Sequence, residues 1–132
     1  MDNTQILQGK TILIVEDCES CRVLIEELLL ETEVRLLFAY DGKDAILTYQ
    51  KERYIDMVLM DIVLPEINGI EATKIIKSFR NDLPIVAVSA SVFYHDKHSC
   101  VLAGCDSFIE KPISEKILFE TIIKILSSEK NY

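Results

Sequence analysis

Val58-Leu59-Met60-Asp61-Ile62-Val63-Leu64-Pro65-Glu66-Ile67-Asn68-Gly69 decides how the rest of the chain is read. Its first half is apolar, without helical period and short, so it reads as a buried strand delivering one carboxylate, Asp61, at its C-terminal end. Pro65 and Asn68-Gly69 then break the chain, and Ile70-Glu71-Ala72 opens a pattern of helical period. A charge at the carboxyl edge of a buried parallel strand is costly unless something uses it, and open α/β sheets bind ligands at that edge. Asp61 is therefore the first candidate functional residue, against the alternative that it only caps the loop after its strand.

Outward from this stretch the chain alternates. Thr11-Ile12-Leu13-Ile14-Val15 is a second buried run, ended by Glu16-Asp17, and Ser20 is placed to cap a helix reaching about Leu30. Val34 to Ala39 reads as a strand whose flanking Glu33 and Arg35 suit a sheet edge, and Asp41-Gly42 turns into a helix ending near Arg53. After the strand Met57 to Asp61, a helix runs from Gly69 to about Phe79 with Ile70, Thr73, Ile75 and Ile76 on its inner face. Ile85 to Ser89 is a fourth strand delivering a hydroxyl. A weakly amphipathic helix follows from Tyr94 to Ala103, stopped by Gly104. Ser107 to Glu110 is a short fifth strand leading to Lys111-Pro112, and Ser114 caps a last helix through Ile125.

Strands alternating with helices, and no two-residue hairpin loops, predict an α/β domain with a doubly wound, five-stranded parallel sheet and five flanking helices. Of the two common strand orders, 2-1-3-4-5 sets strands one and three side by side at a switch point. Glu16, Asp17 and Asp61 then rise together as three carboxylates on one edge. Like charges this close raise one another's pKa values, and a cation relieves them. Hard oxygen ligands with room for water suit Mg2+ better than zinc or calcium. Lys111 and Ser89 arrive from the neighbouring strand ends, completing what is needed to hold the oxygens of a phosphoryl group. The chemistry suggested is attack of Asp61 on phosphorus to form an aspartyl-phosphate.

Composition sets the outer bounds. The chain has 132 residues, 49% of them hydrophobic, which suits one well-buried core. A net charge of −8 argues against direct nucleic-acid binding and suits basic partners or a bound cation. No apolar run approaches the roughly 20 residues of a bilayer span, so no membrane contact and a cytoplasmic address are expected.

Glu16-Asp17, Asp61 within Leu59-Met60-Asp61-Ile62-Val63-Leu64-Pro65-Glu66-Ile67-Asn68-Gly69, Ser89-Ala90 and Glu110-Lys111-Pro112 together resemble the receiver domains of two-component response regulators. The resemblance covers residues 10–127, with flexible ends expected at 1–9 and 128–132. It implies a flavodoxin-like fold, with Asp61 taking a phosphoryl group from the phosphohistidine of a histidine kinase or histidine-phosphotransfer domain. It also implies Mg2+ held by Asp17, Asp61 and the main-chain carbonyl of Val63, with Glu16 acting through water. Lys111 is similar to the lysine that pairs with the phosphoryl oxygens, Ser89 to the switch hydroxyl, and the Lys111-Pro112 bond is expected to be cis. Phe108 stands where tyrosine is commoner, so ring packing alone has to report the state. Such a domain is a phosphoacceptor rather than a turnover enzyme. The run from Ala103 to Ile113 resembles the receiver of hybrid sensor histidine kinases, so a hybrid kinase parent is expected, with a stand-alone regulator as the alternative. Val63 and Ser91, two residues beyond Asp61 and Ser89, give water little purchase and suggest a long-lived phosphoryl group. The face of helix four, strand five and helix five is a candidate for homodimerisation.

Competing readings are weaker. A pseudo-receiver that only binds protein is opposed by the intact set Glu16, Asp17, Asp61, Ser89 and Lys111. A dehalogenase-like phosphatase needs a second Asp where Val63 stands, and a flavin phosphate would be repelled by Glu16-Asp17-Cys18-Glu19. Cys18-x-x-Cys21 and Cys100-x4-Cys105 belong to opposite ends of the sheet, cannot share a metal and read as free cysteines. His95 and His98 read as surface residues. Phe38, Tyr49 and Tyr54 read as core or rim.

Overall fold

The computed structural model describes residues 7–52, 54–64, 67–90 and 94–128, with the side chains at 94–96 and 128 left aside. The strands are β1 (Thr11–Val15), β2 (Arg35–Ala39), β3 (Met57–Asp61), β4 (Ile85–Ser89) and β5 (Ser107–Glu110). The helices are α1 (Glu19–Leu28), α2 (Gly42–Lys51), α3 (Gly69–Phe79), α4 (Tyr94–Ala103) and α5 (Glu115–Ser128). All pairings are parallel, in the order β2-β1-β3-β4-β5 expected from the sequence.

Why the strands read as unbroken apolar runs is visible in the two faces they bury. Ile12, Ile14, Met57, Leu59, Val86 and Val88 pack with Ile25 and Leu29 near α1 and with Leu118, Ile122 and Leu126 of α5. The residues between them, Leu13, Val15, Val58, Met60 and Ile85, pack on the other side with Ala45 of α2 and Ala72 and Ile76 of α3. Period-two alternation thus feeds two cores, and every position of β1, β3 and β4 is buried. β2 lies at the edge as expected, and its Arg35 is exposed and paired with Glu52 at 3.5 Å.

Local sequence sets most helix ends. Asp41 Oδ1 accepts from the Asp44 amide at 2.7 Å, Asn68 Oδ1 from the Glu71 amide at 3.0 Å, and Ser114 Oγ from the Ile117 amide at 3.2 Å, capping α2, α3 and α5. Gly104, at φ 109°, closes α4, and the Cys105 amide reaches back to the Cys100 carbonyl at 2.9 Å. The weak amphipathicity of α4 shows in its exposed Val101 and Leu102.

β2 begins at Arg35 rather than Val34, and two further boundaries differ from expectation. Helix α1 begins at Glu19 with Cys18 as its N-terminal cap residue, and Ser20 does not cap it. Its hydroxyl lies 3.1 Å from Cys18 Sγ, inside the first turn. Leu7 is fully buried in the α1–α5 core, so packing starts before the boundary drawn at residue 10. Residues 1–6 and 129–132, expected to be flexible, lie outside the described residues, as do Arg53, Pro65, Ser91 and the side chain of His95. Of the aromatics, Phe38 and Tyr49 are partly buried against the two cores and Tyr54 is exposed. His98 is exposed.

Candidate phosphoacceptor site

β1 and β3 are hydrogen-bonded neighbours, with Val15 opposite Met60, so Glu16 and Asp61 emerge side by side at the carboxyl edge. Both are buried, at 2% and 5% exposure, whereas Asp17 is exposed. One carboxylate oxygen from each of Glu16, Asp17 and Asp61 lies within 4.8 Å of the others. Asp61 Oδ1 accepts the Val63 amide at 3.0 Å, which turns the chain immediately after β3.

Lys111 closes this cluster from the end of β5. Its Nζ lies 2.7 Å from Glu16 Oε1 and 3.3 Å from Asp61 Oδ2. The Lys111-Pro112 bond is cis, and the Lys111 amide donates to the Ser89 carbonyl at 2.8 Å. Ser89, buried at the end of β4 and opposite Glu110, stands between Asp61 and Lys111 in strand order. Phe108 is half-buried against the small cluster of Ile62, Ala87 and Cys100, with Lys97 Nζ 5.5 Å from its ring centroid.

The electrostatics follow from burial. Loss of water and the neighbouring Asp61 push the Glu16 carboxyl above its usual range, and Lys111 only partly offsets them. Burial opposes the Lys111 charge, but its hydrogen bond to Glu16 and the charges of Asp61 and Glu16 outweigh that and hold its pKa above the usual lysine value. Two buried acids thus share one ammonium, leaving a net negative pocket with Asp17 at its open side. Such a donor set, all carboxylate oxygens with space beside an exposed member, fits a hard divalent cation that keeps part of its water, as Mg2+ does.

The ion pair between Lys111 and Glu16 was not foreseen from the sequence, which assigned Lys111 to phosphoryl oxygens alone. Arg22 was missed as well. Its Nη1 donates to the Glu16 carbonyl at 2.8 Å while its guanidinium sits 4.5 Å over the Tyr40 ring, tying α1 to the loop after β1. Spacing along the chain carries no sign of this contact. Gly69 is a third unforeseen contributor. The first residue of α3 passes so close to β3 that a Cβ there would overlap the Asp61 carbonyl oxygen and lie 2.6 Å from Ile62 Cα.

No disulfide joins the four cysteines, and among the described residues the three carboxylates are the group disposed to hold a metal. Burial pushes the Cys105 thiol up to about 12. In the unfolded chain it ionises at about 8.5, so its contribution to stability is intact below that pH and is lost as pH rises toward the folded value. Wild-type stability is expected to fall by up to about 1.4 kcal/mol per pH unit more steeply than that of Cys105→Ala above about pH 8.5. Urea unfolding across that range checks it, and parallel curves would show that Cys105 has no part in the alkaline loss.

Comparison with known proteins agrees with this geometry. The family model described as response regulator receiver domain matches residues 12–123. The chain is 34% identical over 126 residues to transcription factor SKN7 of Saccharomyces cerevisiae, covering 95% of this chain and 20% of that protein. It is 34% identical over 130 residues to hybrid signal transduction histidine kinase I of Dictyostelium discoideum, covering 92% of this chain and 7% of that one. The chain thus spans only a small part of these two larger relatives. The polar-differentiation response regulator DivK of Brucella ovis is 35% identical over 115 residues, with 86% of this chain and 93% of DivK covered. Among solved structures, the receiver domain of sensor histidine kinase PA1611 from Pseudomonas aeruginosa, with a magnesium ion coordinated in its active-site cleft, superposes with a TM-score of 0.83. It is 30% identical, covering 90% of this chain and 98% of that one. A response regulator from Clostridium difficile, at 22% identity, shares the fold with a TM-score of 0.87, covering 92% of this chain and 99% of that one. The chain belongs to the response regulator receiver domain family, the receivers of two-component systems.

Proposed function

We propose that this domain accepts a phosphoryl group on Asp61 from the phosphohistidine of a histidine kinase or histidine-phosphotransfer partner. Asp17, Asp61 and the main-chain carbonyl of Val63 would hold Mg2+, with Glu16 acting through a bound water. The observation that carries this reading is the three-carboxylate cluster within 4.8 Å, closed by Lys111 Nζ at 3.3 Å from Asp61 and 2.7 Å from Glu16. A receiver relative whose cleft coordinates magnesium supports the choice of ion. When bound, Mg2+ supplies charge neutralisation to the phosphoryl oxygens.

In the transfer, an Asp61 oxygen bonds to phosphorus as the bond to the donor's imidazole nitrogen breaks, and the electron pair stays on the ring. Lys111 yields part of its hold on Glu16 to pair with the incoming oxygens. The Ser89 hydroxyl turns onto the phosphoryl group, and Phe108, lacking a phenol, follows by repacking between α4 and the sheet. The domain is the acceptor in a phosphorelay, not a turnover enzyme.

The wider assignments rest on the same reading. A hybrid histidine kinase parent is supported by the kinase relatives, and a stand-alone regulator by DivK, almost all of which this chain covers. The domain acts in the cytoplasm without binding nucleic acid directly. No described helix is long and apolar enough to cross a membrane. Exposed Val101, Leu102 and Ile117 on α4 and α5 support pairing of two copies beside β5.

The experiment is intact mass after incubation with a small phosphodonor, with Mg2+ or excess chelator, for wild type and Asp61→Asn. One added phosphoryl group, in wild type with Mg2+ alone, is expected. Equal uptake by folded Asp61→Asn would place the acceptor elsewhere.

A further inference from the structure

Cys18 and Cys21 occupy a position that the phosphoacceptor chemistry leaves unused. Cys18 is the residue before α1, and its carbonyl already accepts from the Arg22 amide at 3.1 Å, so the segment from Cys18 to Cys21 makes one helical turn. Residues three apart on such a turn have Cα atoms about 5 Å apart, inside the roughly 4.4 to 6.8 Å that a disulfide spans. The two thiols differ in setting: Cys18 is exposed, whereas Cys21 is half-buried.

Both flank the acidic pocket. Cys18 follows Asp17, and its amide donates to Glu16 Oε2 at 3.3 Å. Cys21 lines a largely apolar cavity of about 280 Å3 whose far wall is Lys111, Pro112 and Ile113.

We propose that Cys18 and Cys21 are a reversible dithiol–disulfide pair whose state alters both walls of this cavity. The oxidant is a small disulfide such as glutathione disulfide. The Cys18 thiolate attacks one of its sulfurs and expels one glutathione thiolate, forming a mixed disulfide. The Cys21 thiolate then attacks Cys18 Sγ and expels the second glutathione. Both protein protons end on the two released thiols, and the two electrons lost by the cysteines reduce the oxidant. Exposed Cys18 makes the first attack, and Cys21, one turn away, completes the bridge. Joining the sulfurs at about 2.05 Å draws Cys21 toward Cys18 and so changes the lining that it shares with Lys111.

The test is stepwise titration of the folded chain with mixtures of reduced and oxidised glutathione, read by intact mass and peptide mapping. Wild type is expected to lose two hydrogen atoms with the link mapped to Cys18–Cys21, and to regain them with dithiothreitol. Cys21→Ser is expected to stop at glutathione on Cys18, and Cys18→Ser to form no link at Cys21. Amide resonances of Asp17 and Lys111 are expected to shift on oxidation and return on reduction. A first link at Cys100–Cys105, or wild type carrying glutathione on Cys18 without closing the bridge, would overturn the pair. A bridge that leaves the Lys111 resonance unmoved would overturn its coupling to the cavity. None of these readouts uses phosphoryl transfer, so they stand or fall separately from the proposed function.

Discussion

Gly69→Ala is expected to cost about 3 kcal/mol or more of folding stability, at the upper end of what overpacking costs. The added methyl meets backbone rather than a movable side chain: the Asp61 carbonyl oxygen, and Ile62 Cα at 2.6 Å. Rotamer changes cannot relieve it, so either α3 or the end of β3 must move. The Gly69 amide also donates to the Ile62 carbonyl at 3.2 Å, and that bond is strained in either case. Because Asp61 sits on the displaced segment, the carboxylate cluster loses its spacing together with the fold's stability. Urea denaturation measures the first effect and magnesium titration of the surviving folded fraction the second. A variant within about 0.5 kcal/mol of wild type would mean that α3 does not press on the phosphoacceptor strand as described.

Lys111→Met has the second large effect, and its pH dependence separates charge from packing. Methionine keeps most of the aliphatic stem but removes the ammonium that Glu16 and Asp61 share. Leaving buried carboxylates without their cation is expected to cost about 3 kcal/mol at pH 7. Glu16 is already pushed up by burial and Asp61, and losing Lys111 removes the influences that lower it. A carboxyl whose folded pKa lies above its unfolded value favours the fold at low pH and opposes it as pH rises through the folded value. The deficit of Lys111→Met should therefore be larger at pH 7 than at pH 5, because a Glu16 that takes up its proton no longer needs the ammonium. Added Mg2+ should also narrow it at pH 7. Equal deficits at both pH values, unchanged by Mg2+, would show that the lysine contributes packing alone.

How far the sequence could be read depends on what kind of signal each feature leaves. Parallel strands buried on both faces must be apolar throughout, so β1, β3 and β4 stood out as runs, and the polar groups ending them, Glu16, Asp61 and Ser89, stood out by contrast. Ser114 was legible as a cap because it needs only a backbone amide three positions ahead, whereas Asp41 and Asn68, read only as turn formers, cap α2 and α3 in the same way. Ser20 misled because side-chain preference says nothing about where a helix starts its first turn. That turn closes from the Cys18 carbonyl to the Arg22 amide, which puts the cap two residues before Ser20. Glu19 then opens α1 as an acid in the first turn, where the helix dipole favours it. Leu7 escaped notice because a single apolar residue before a strand has no period to reveal it.

Contacts that depend on three dimensions at once left no trace. The Lys111–Glu16 pair requires β5 and β1, which are not neighbours in the sheet, to send side chains over the same edge. Arg22 needs the one turn of α1 that faces both the Glu16 carbonyl and Tyr40. The candidate site was legible as a set of residue types at strand ends, and the internal pairing of that set was not.

Transfer of phosphorus from a nitrogen donor to Asp61 can be read out chemically at the residue itself. The folded chain is treated with phosphoramidate and Mg2+, any acyl phosphate is reduced with borohydride, and the peptides are sequenced. Residue 61 is expected to convert from aspartate to homoserine, with no conversion when chelator replaces Mg2+. Homoserine at another position, or none from folded protein, would contradict the assignment and leave the domain as a binding module.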